Sequence, residues 1–162
     1  MKSKRHFSLS ILTAILMGFL WCSFVFGAES SIAPIPQQSG TKVTLLDTFF
    51  LDTDNGWAVG AGGTMLRTDD GGAQWKSIPR RTAALLMSIY FSGNQYGWVV
   101  GQHGTILHTQ NGGTKWVPQF SGTTSPLYGV FFKDSSKGWV VGARGAILHT
   151  QDGGQIWADQ PS

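Results

Sequence analysis

Gly97-Trp98-Val99-Val100-Gly101 and, eighteen residues after its tryptophan, Trp116 form one of three matching stretches in this chain. The first stretch is Gly56-Trp57-Ala58-Val59-Gly60 with Trp75, and the third is Gly138-Trp139-Val140-Val141-Gly142 with Trp157. Both series of tryptophans step by 41 residues, without insertion or deletion. A fixed period in the 40–45 range marks a repeat architecture whose unit is one supersecondary element unable to bury its apolar face alone. A residue that recurs at one place in all three units is therefore read first as structural. Residues that break the repeat are the candidates for a specific task.

Between the glycine–tryptophan motifs run short β-prone segments. In the second unit these are Leu86-Met87-Ser88-Ile89-Tyr90-Phe91, then Gly97-Trp98-Val99-Val100-Gly101, Thr105-Ile106-Leu107-His108-Thr109 and Lys115-Trp116-Val117-Pro118-Gln119-Phe120. Clusters of Gly, Asn and Asp separate them, as expected of antiparallel strands joined by tight turns. No stretch of the mature chain carries a long 3.6-residue period. Four strands in ~41 residues make a propeller blade. The fold class predicted is thus all-β, a propeller-type repeat of three four-stranded antiparallel blades over residues 42–162. It forms either an open arc or part of an oligomeric or longer propeller. Pro36-Gln37-Gln38-Ser39-Gly40 matches Pro118-Gln119-Phe120-Ser121-Gly122 two periods on. Residues 29–41 are accordingly read as an extended lead-in that carries a stray fourth strand.

The beginning of the chain reads differently. Lys2, Lys4 and Arg5 precede an apolar run from Phe7 to Phe26, followed by Gly27-Ala28-Glu29-Ser30-Ser31. This is the order of a secretory leader, predicted over residues 1–28, with cleavage after Ala28 or Ser30. A run of this length also suits an uncleaved anchor through residues 7–26. The chain is expected to be exported, to a periplasm, a thylakoid lumen or the extracellular space. Cys22, the single cysteine, lies inside the leader, so the mature domain is held without disulfides. The formal charge of +3 also belongs to the leader: nine Lys and Arg outside it face Glu29 and eight aspartates. A near-neutral domain without a clustered basic stripe speaks against nucleic-acid binding.

A second recurring stretch is Thr68-Asp69-Asp70-Gly71-Gly72-Ala73-Gln74-Trp75, repeated with Asn111 and Asp152 in the place of Asp70. It matches the Asp-box pattern. A short carboxylate or amide accepts backbone N–H groups across the turn, glycine supplies positive φ, and tryptophan packs back over the hairpin. Trp57, Asp70, Trp75, Trp98, Asn111, Trp116, Trp139, Asp152 and Trp157 are thus read as the structural repeat set. One carboxylate per turn is too few for calcium, and neither a metal nor another cofactor is expected.

The full unit, Gly-Trp-x-Val-Gly through Thr-x-Asp-Gly-Gly-x-x-Trp, resembles the BNR-type repeat of the photosystem II stability and assembly factor family. The resemblance spans residues ~42–160. It implies a lumenal or periplasmic propeller, seven-bladed in that family, which binds newly made reaction-centre protein during assembly. The partner it implies is a membrane-protein assembly intermediate.

Sialidase-type chemistry would need a glutamate to activate a tyrosine nucleophile, and the only glutamate is Glu29 at the leader junction. No nucleophile–base–orienter arrangement emerges from the scattered aspartates, so no catalytic residue is assigned. His108 and His149 are repeat-equivalent, with Arg67 in the first unit, a poor metal set. The variable ionisable residues, Arg67, Arg80, Arg81, His103 and Arg144, are the candidate partner-binding set, against the plain reading of solvated loop charge. Two function classes remain open: a non-catalytic protein-binding or assembly module, and a carbohydrate-binding module on a sialidase-like Asp-box scaffold. Three blades leave two apolar flanks, for which a homodimer closing a six-bladed ring is one expected cover.

Overall fold

The computed structural model describes residues 36–160; the expected leader or anchor over residues 1–28 lies outside them. Twelve strands form three antiparallel sheets. Blade one is β1 (Leu45–Phe50), β2 (Gly56–Gly60), β3 (Met65–Thr68) and β4 (Lys76–Ser77). Blade two is β5 (Leu86–Ser92), β6 (Tyr96–Gly101), β7 (Ile106–Thr109) and β8 (Val117–Gln119). Blade three is β9 (Leu127–Phe132), β10 (Gly138–Gly142), β11 (Ile147–Thr150) and β12 (Ala158–Asp159). Within each sheet the strands are neighbours in chain order, as tight turns between short strands require.

The sequence period survives as register. Trp57 faces Arg67 across β2–β3, Trp98 faces His108 across β6–β7, and Trp139 faces His149 across β10–β11. Each first strand carries an irregularity at the same place, between Leu45 and Asp47, between Leu86 and Ser88, and where Leu127 and Gly129 oppose Gly142 and Val141.

Both glycines of the recurring motif answer to close approach rather than to turn geometry. A Cβ on Gly56, Gly97 or Gly138 would lie 2.6, 2.6 or 2.5 Å from the ring of Phe50, Phe91 or Phe132. A Cβ on Gly60 or Gly101 would meet the Thr44 or Leu85 carbonyl oxygen at 2.1 or 2.2 Å. The phenyl ring of the first strand therefore lies flat over the second.

The core sits between blades. Trp57, Val59 and Met65 of blade one pack on Leu86, Ile89, Phe91, Val99, Leu107 and Trp116 of blade two. Trp98, Val100 and Ile106 on the other face of blade two pack on Leu127, Phe132, Val140, Leu148 and Trp157 of blade three. Strand alternation makes this possible, because successive side chains of β6 and β7 point to opposite neighbours.

The lead-in differs from the sequence reading. Residues 36–40 form no strand. Their counterpart in blade two, β8, is a strand because β7 lies beside it, with Leu107 opposite Pro118. No third strand of a preceding blade stands beside Pro36 among the described residues, so the backbone has no ladder to join. The side-chain anchor persists without it: Gln37 Nε2 donates to the Gly71 carbonyl at 3.2 Å, as Gln119 Nε2 does to Gly153 at 3.0 Å.

Candidate protein-interaction face

Antiparallel pairing sends the loops to two opposite ends of each blade. The loops between first and second strands, and those between third and fourth, share one end, because Gly56 opposes both Phe50 and Thr68. The second-to-third turns share the other end with the crossovers between blades, which Gly63 N–H to Ala84 O and Gly104 N–H to Ser125 O tie together at 2.8 and 3.0 Å.

The first end holds the aspartate turns. Thr68 Oγ1 donates to Asp70 Oδ1 at 2.8 Å, and that same oxygen accepts the Gln74 N–H at 2.8 Å. Asn111 accepts from Thr109 and Lys115 at 3.0 and 2.9 Å, and Asp152 from Thr150 and Ile156 at 2.8 and 3.0 Å. An amide oxygen serves as well as a carboxylate here, because the turn asks for an acceptor and not for charge. The backbone N–H of Gln74 holds the Asp70 carboxyl below its ordinary value, and that of Ile156 does the same for Asp152. These groups are committed to the backbone. Nearby, the Ser136 hydroxyl first, with the Lys137 and Ser136 amides, lowers Asp134 to about 2.

At this end also lies Arg67, away from the rest of the sequence-predicted set. As the cross-strand neighbour of Trp57 it lays its guanidinium 5.4 Å from that ring. His108 and His149 take the same seat on Trp98 and Trp139, at 4.8 and 4.9 Å. The three are caps on the recurring indole. Burial pushes His108 down to about 4 from its ordinary 6.5. The unfolded chain keeps this proton up to about pH 6.5 and the folded chain sheds it above about 4. Stability therefore rises between those values with increasing pH and is lost on acidification. His108→Phe, which keeps a ring on Trp98, should hold the urea midpoint constant from pH 7 to 5 while the unaltered chain declines. Parallel declines would remove His108 as the cause.

The opposite end carries Arg80, Arg81, His103 and Arg144, all exposed. Arg80 and Arg81 stand on the crossover after β4; His103 and Arg144 occupy the middle of the three-residue turns Gln102–Gly104 and Ala143–Gly145. Those middle positions are left-handed, with φ of 58° at His103 and 59° at Arg144. Blade one fills the equivalent position with Gly62, at φ 62°. A side chain there costs roughly 1 kcal/mol or more relative to glycine. Two of three blades thus carry an ionisable side chain where the backbone favours none.

Charge divides between the ends. Asp52, Asp54, Asp69, Asp70, Asp134 and Asp152 lie at the aspartate-turn end, interspersed with Arg67, Lys76, Lys115, Lys133 and Lys137. At the other end Lys42, Arg80, Arg81 and Arg144 stand with Asp159 and with Asp47, whose Oδ2 accepts the Ile89 N–H at 2.9 Å. The ion pair formed among the described residues, Lys76 with Asp69 at 2.8 Å, belongs to the acidic end. The arginines of the basic end therefore have no ion-pair partner among the described residues, an arrangement the linear order of residues does not display.

A family model described as photosynthesis system II assembly factor YCF48 matches residues 34–121, more than half of the chain. Among solved structures, one described as YCF48 bound to D1 peptide is similar at a TM-score of 0.69 and 28% identity, over 79% of this chain and 44% of that one. YCF48 from Cyanidioschyzon merolae is similar at 0.63 and 26%, over 78% of this chain and 41% of that one. Both are β-propellers, and the chain spans less than half the length of either. No curated protein matches it. A repeat unit shared in sequence, and three blades shared in fold, place the chain in the photosynthesis system II assembly factor YCF48 family.

Proposed function

We propose that the protein is an exported, non-catalytic binding module that holds a segment of a membrane-protein partner, of the D1 kind, during photosystem assembly. The basic end of the blades carries this contact through Arg80, Arg81, His103 and Arg144, with Arg67 outside it. The observation that supports it most is the left-handed placement of His103 and Arg144, where backbone preference alone selects glycine, as at Gly62. Exposed arginines free of acidic partners can fork onto carboxylates or carbonyls of an extended peptide. A carbohydrate platform has less support, since Trp57, Trp98, Trp116 and Trp157 are buried between blades. The open flanks are covered, in this reading, by pairing of two chains.

The test is capture of a synthetic D1 peptide, followed by fluorescence anisotropy. Reversing Arg80, Arg81 and Arg144 together to Glu should weaken binding at least tenfold, about 1.4 kcal/mol, with the circular dichroism spectrum unchanged. Raising the salt should weaken the unaltered protein too, because exposed charges are screened within roughly 8–10 Å. Equal capture by the reversed variant would reduce these arginines to ordinary surface charge.

A further inference from the structure

Each internal junction is built on one indole. Trp57 stacks on Phe91 at 4.1 Å and Trp98 on Phe132 at 3.4 Å. The receiving phenyl ring meets a tryptophan of its own blade edge-on, Trp116 or Trp157, each at 5.8 Å. Both halves of this contact recur on the open flanks. Trp139 stands half-buried on the outer face of blade three, beside Phe131 at 53% and Val141 at 48% exposure. On the far face of blade one Phe50 is 42% exposed, with Trp75 edge-on at 6.0 Å.

The polar contacts of the second junction recur in part, while at the first junction Trp57 Nε1 has no acceptor among the described residues. Gly153 O accepts Trp98 Nε1 at 3.1 Å and Gln119 Nε2 at 3.0 Å, whereas its counterpart Gly71 O accepts Gln37 Nε2 and, among the described residues, no indole. Ser39 Oγ bonds to Thr41 O at 3.3 Å and Val43 N–H to Thr41 Oγ1 at 3.2 Å. Ser121, Thr123 and Ser125 repeat both bonds at 3.1 and 3.0 Å. The lead-in thus already has the form of a crossover arriving from a preceding blade.

We infer that a second copy of this chain is that neighbour, docked head to tail. Trp139 stacks on the partner's Phe50 and donates its indole N–H to the partner's Gly71 carbonyl. This rests on the pairing stated above and specifies its faces and register. Such a contact pairs unlike surfaces, and it closes when the second junction of the pair forms in the same way. Three blades and three make six, inside the four to eight of known propellers. One adjustment follows. Gln37 and Gln160 fall at the same repeat position, three periods apart. Pro36-Gln37 repeats the Pro118-Gln119 of β8, which pairs over three residues, whereas β12 pairs over two and is exposed. At the junction the partner's lead-in takes the outer seat and β12 yields it.

The full chain, expressed with its leader and purified as processed, should scatter light as two copies. Trp139→Glu and Phe50→Glu should each give single copies with an unchanged circular dichroism spectrum. Val141→Glu replaces the first variant if that spectrum changes. Mixing the two variants should restore pairs, at least tenfold weaker than the unaltered chain, because one of the two junctions then has both intact faces. A mixture that stays monomeric beside a paired unaltered chain would overturn the head-to-tail register. A monomeric unaltered chain would sink pairing altogether, while D1 peptide capture, read on the same samples, tests the basic end separately. A chain ended after Trp157 should pair as well as the full one, and loss of pairing there would refute the yielding of β12.

Discussion

Trp98→Ala should lower the unfolding free energy by about 3–5 kcal/mol, the usual range for deleting a large aromatic from a packed interior. The indole is 0% exposed, lies on Phe132 at 3.4 Å and under His108 at 4.8 Å, and donates its N–H to Gly153. Truncation removes apolar burial from one face of blade two and leaves the Phe132 ring without its cover. Domains are commonly stable by ~5–15 kcal/mol, so the variant should retain only part of its stability and unfold at a clearly lower urea midpoint. Trp98→Phe separates the contributions: it keeps a ring on Phe132 and loses the bond to Gly153, costing about 1–2 kcal/mol. Equal losses for the two variants would show that the hydrogen bond, and not the stack, holds this junction.

Gly104→Ala is the second large effect. Gly104 has φ +65°, and a Cβ there would lie 1.9 Å from the Thr123 carbonyl oxygen and 2.8 Å from Ser121 Oγ. Backbone strain and overlap with main chain together should cost about 2–5 kcal/mol, because the crossover to blade three must move. Gly145 is the same residue one period later, at φ +74°, with nothing within 4 Å of its Cβ position. Gly145→Ala should therefore cost about 1–2 kcal/mol, the conformational share alone. Comparing the two by urea denaturation isolates what the crossover contributes. A common loss would assign the whole effect to the left-handed backbone.

The period made the blades legible before any coordinates. Strand order and the turn chemistry of Asp70, Asn111 and Asp152 follow from local residue types, whereas the placement of Arg67, His108 and His149 opposite Trp57, Trp98 and Trp139 emerges only in the register. In the lead-in, matching residues do not by themselves make a matching strand. Pro36-Gln37 repeats Pro118-Gln119, but a strand exists only beside a partner, and partnership is not local. The basic end was half legible. That Gly62, His103 and Arg144 are equivalent can be counted along the chain, yet their left-handed φ belongs to the backbone. Arg67 was grouped with them because it varies, although a β-strand position opposite Trp57 fixes it at the other end. Variation alone does not say which end of a strand a residue serves.

The interblade contact has a consequence for how such a chain lengthens. Trp-on-Phe stacking joins blade one to two and blade two to three with the same pair of residues, one period apart. A duplication of one whole period therefore inserts a unit whose two new neighbours are already complementary to it, with no compensating change elsewhere. Insertion of an odd number of residues within a strand would instead shift the alternation of faces and turn core residues to solvent. Growth is quantised by the period, and genes built on this repeat can change ring size in single recombination steps.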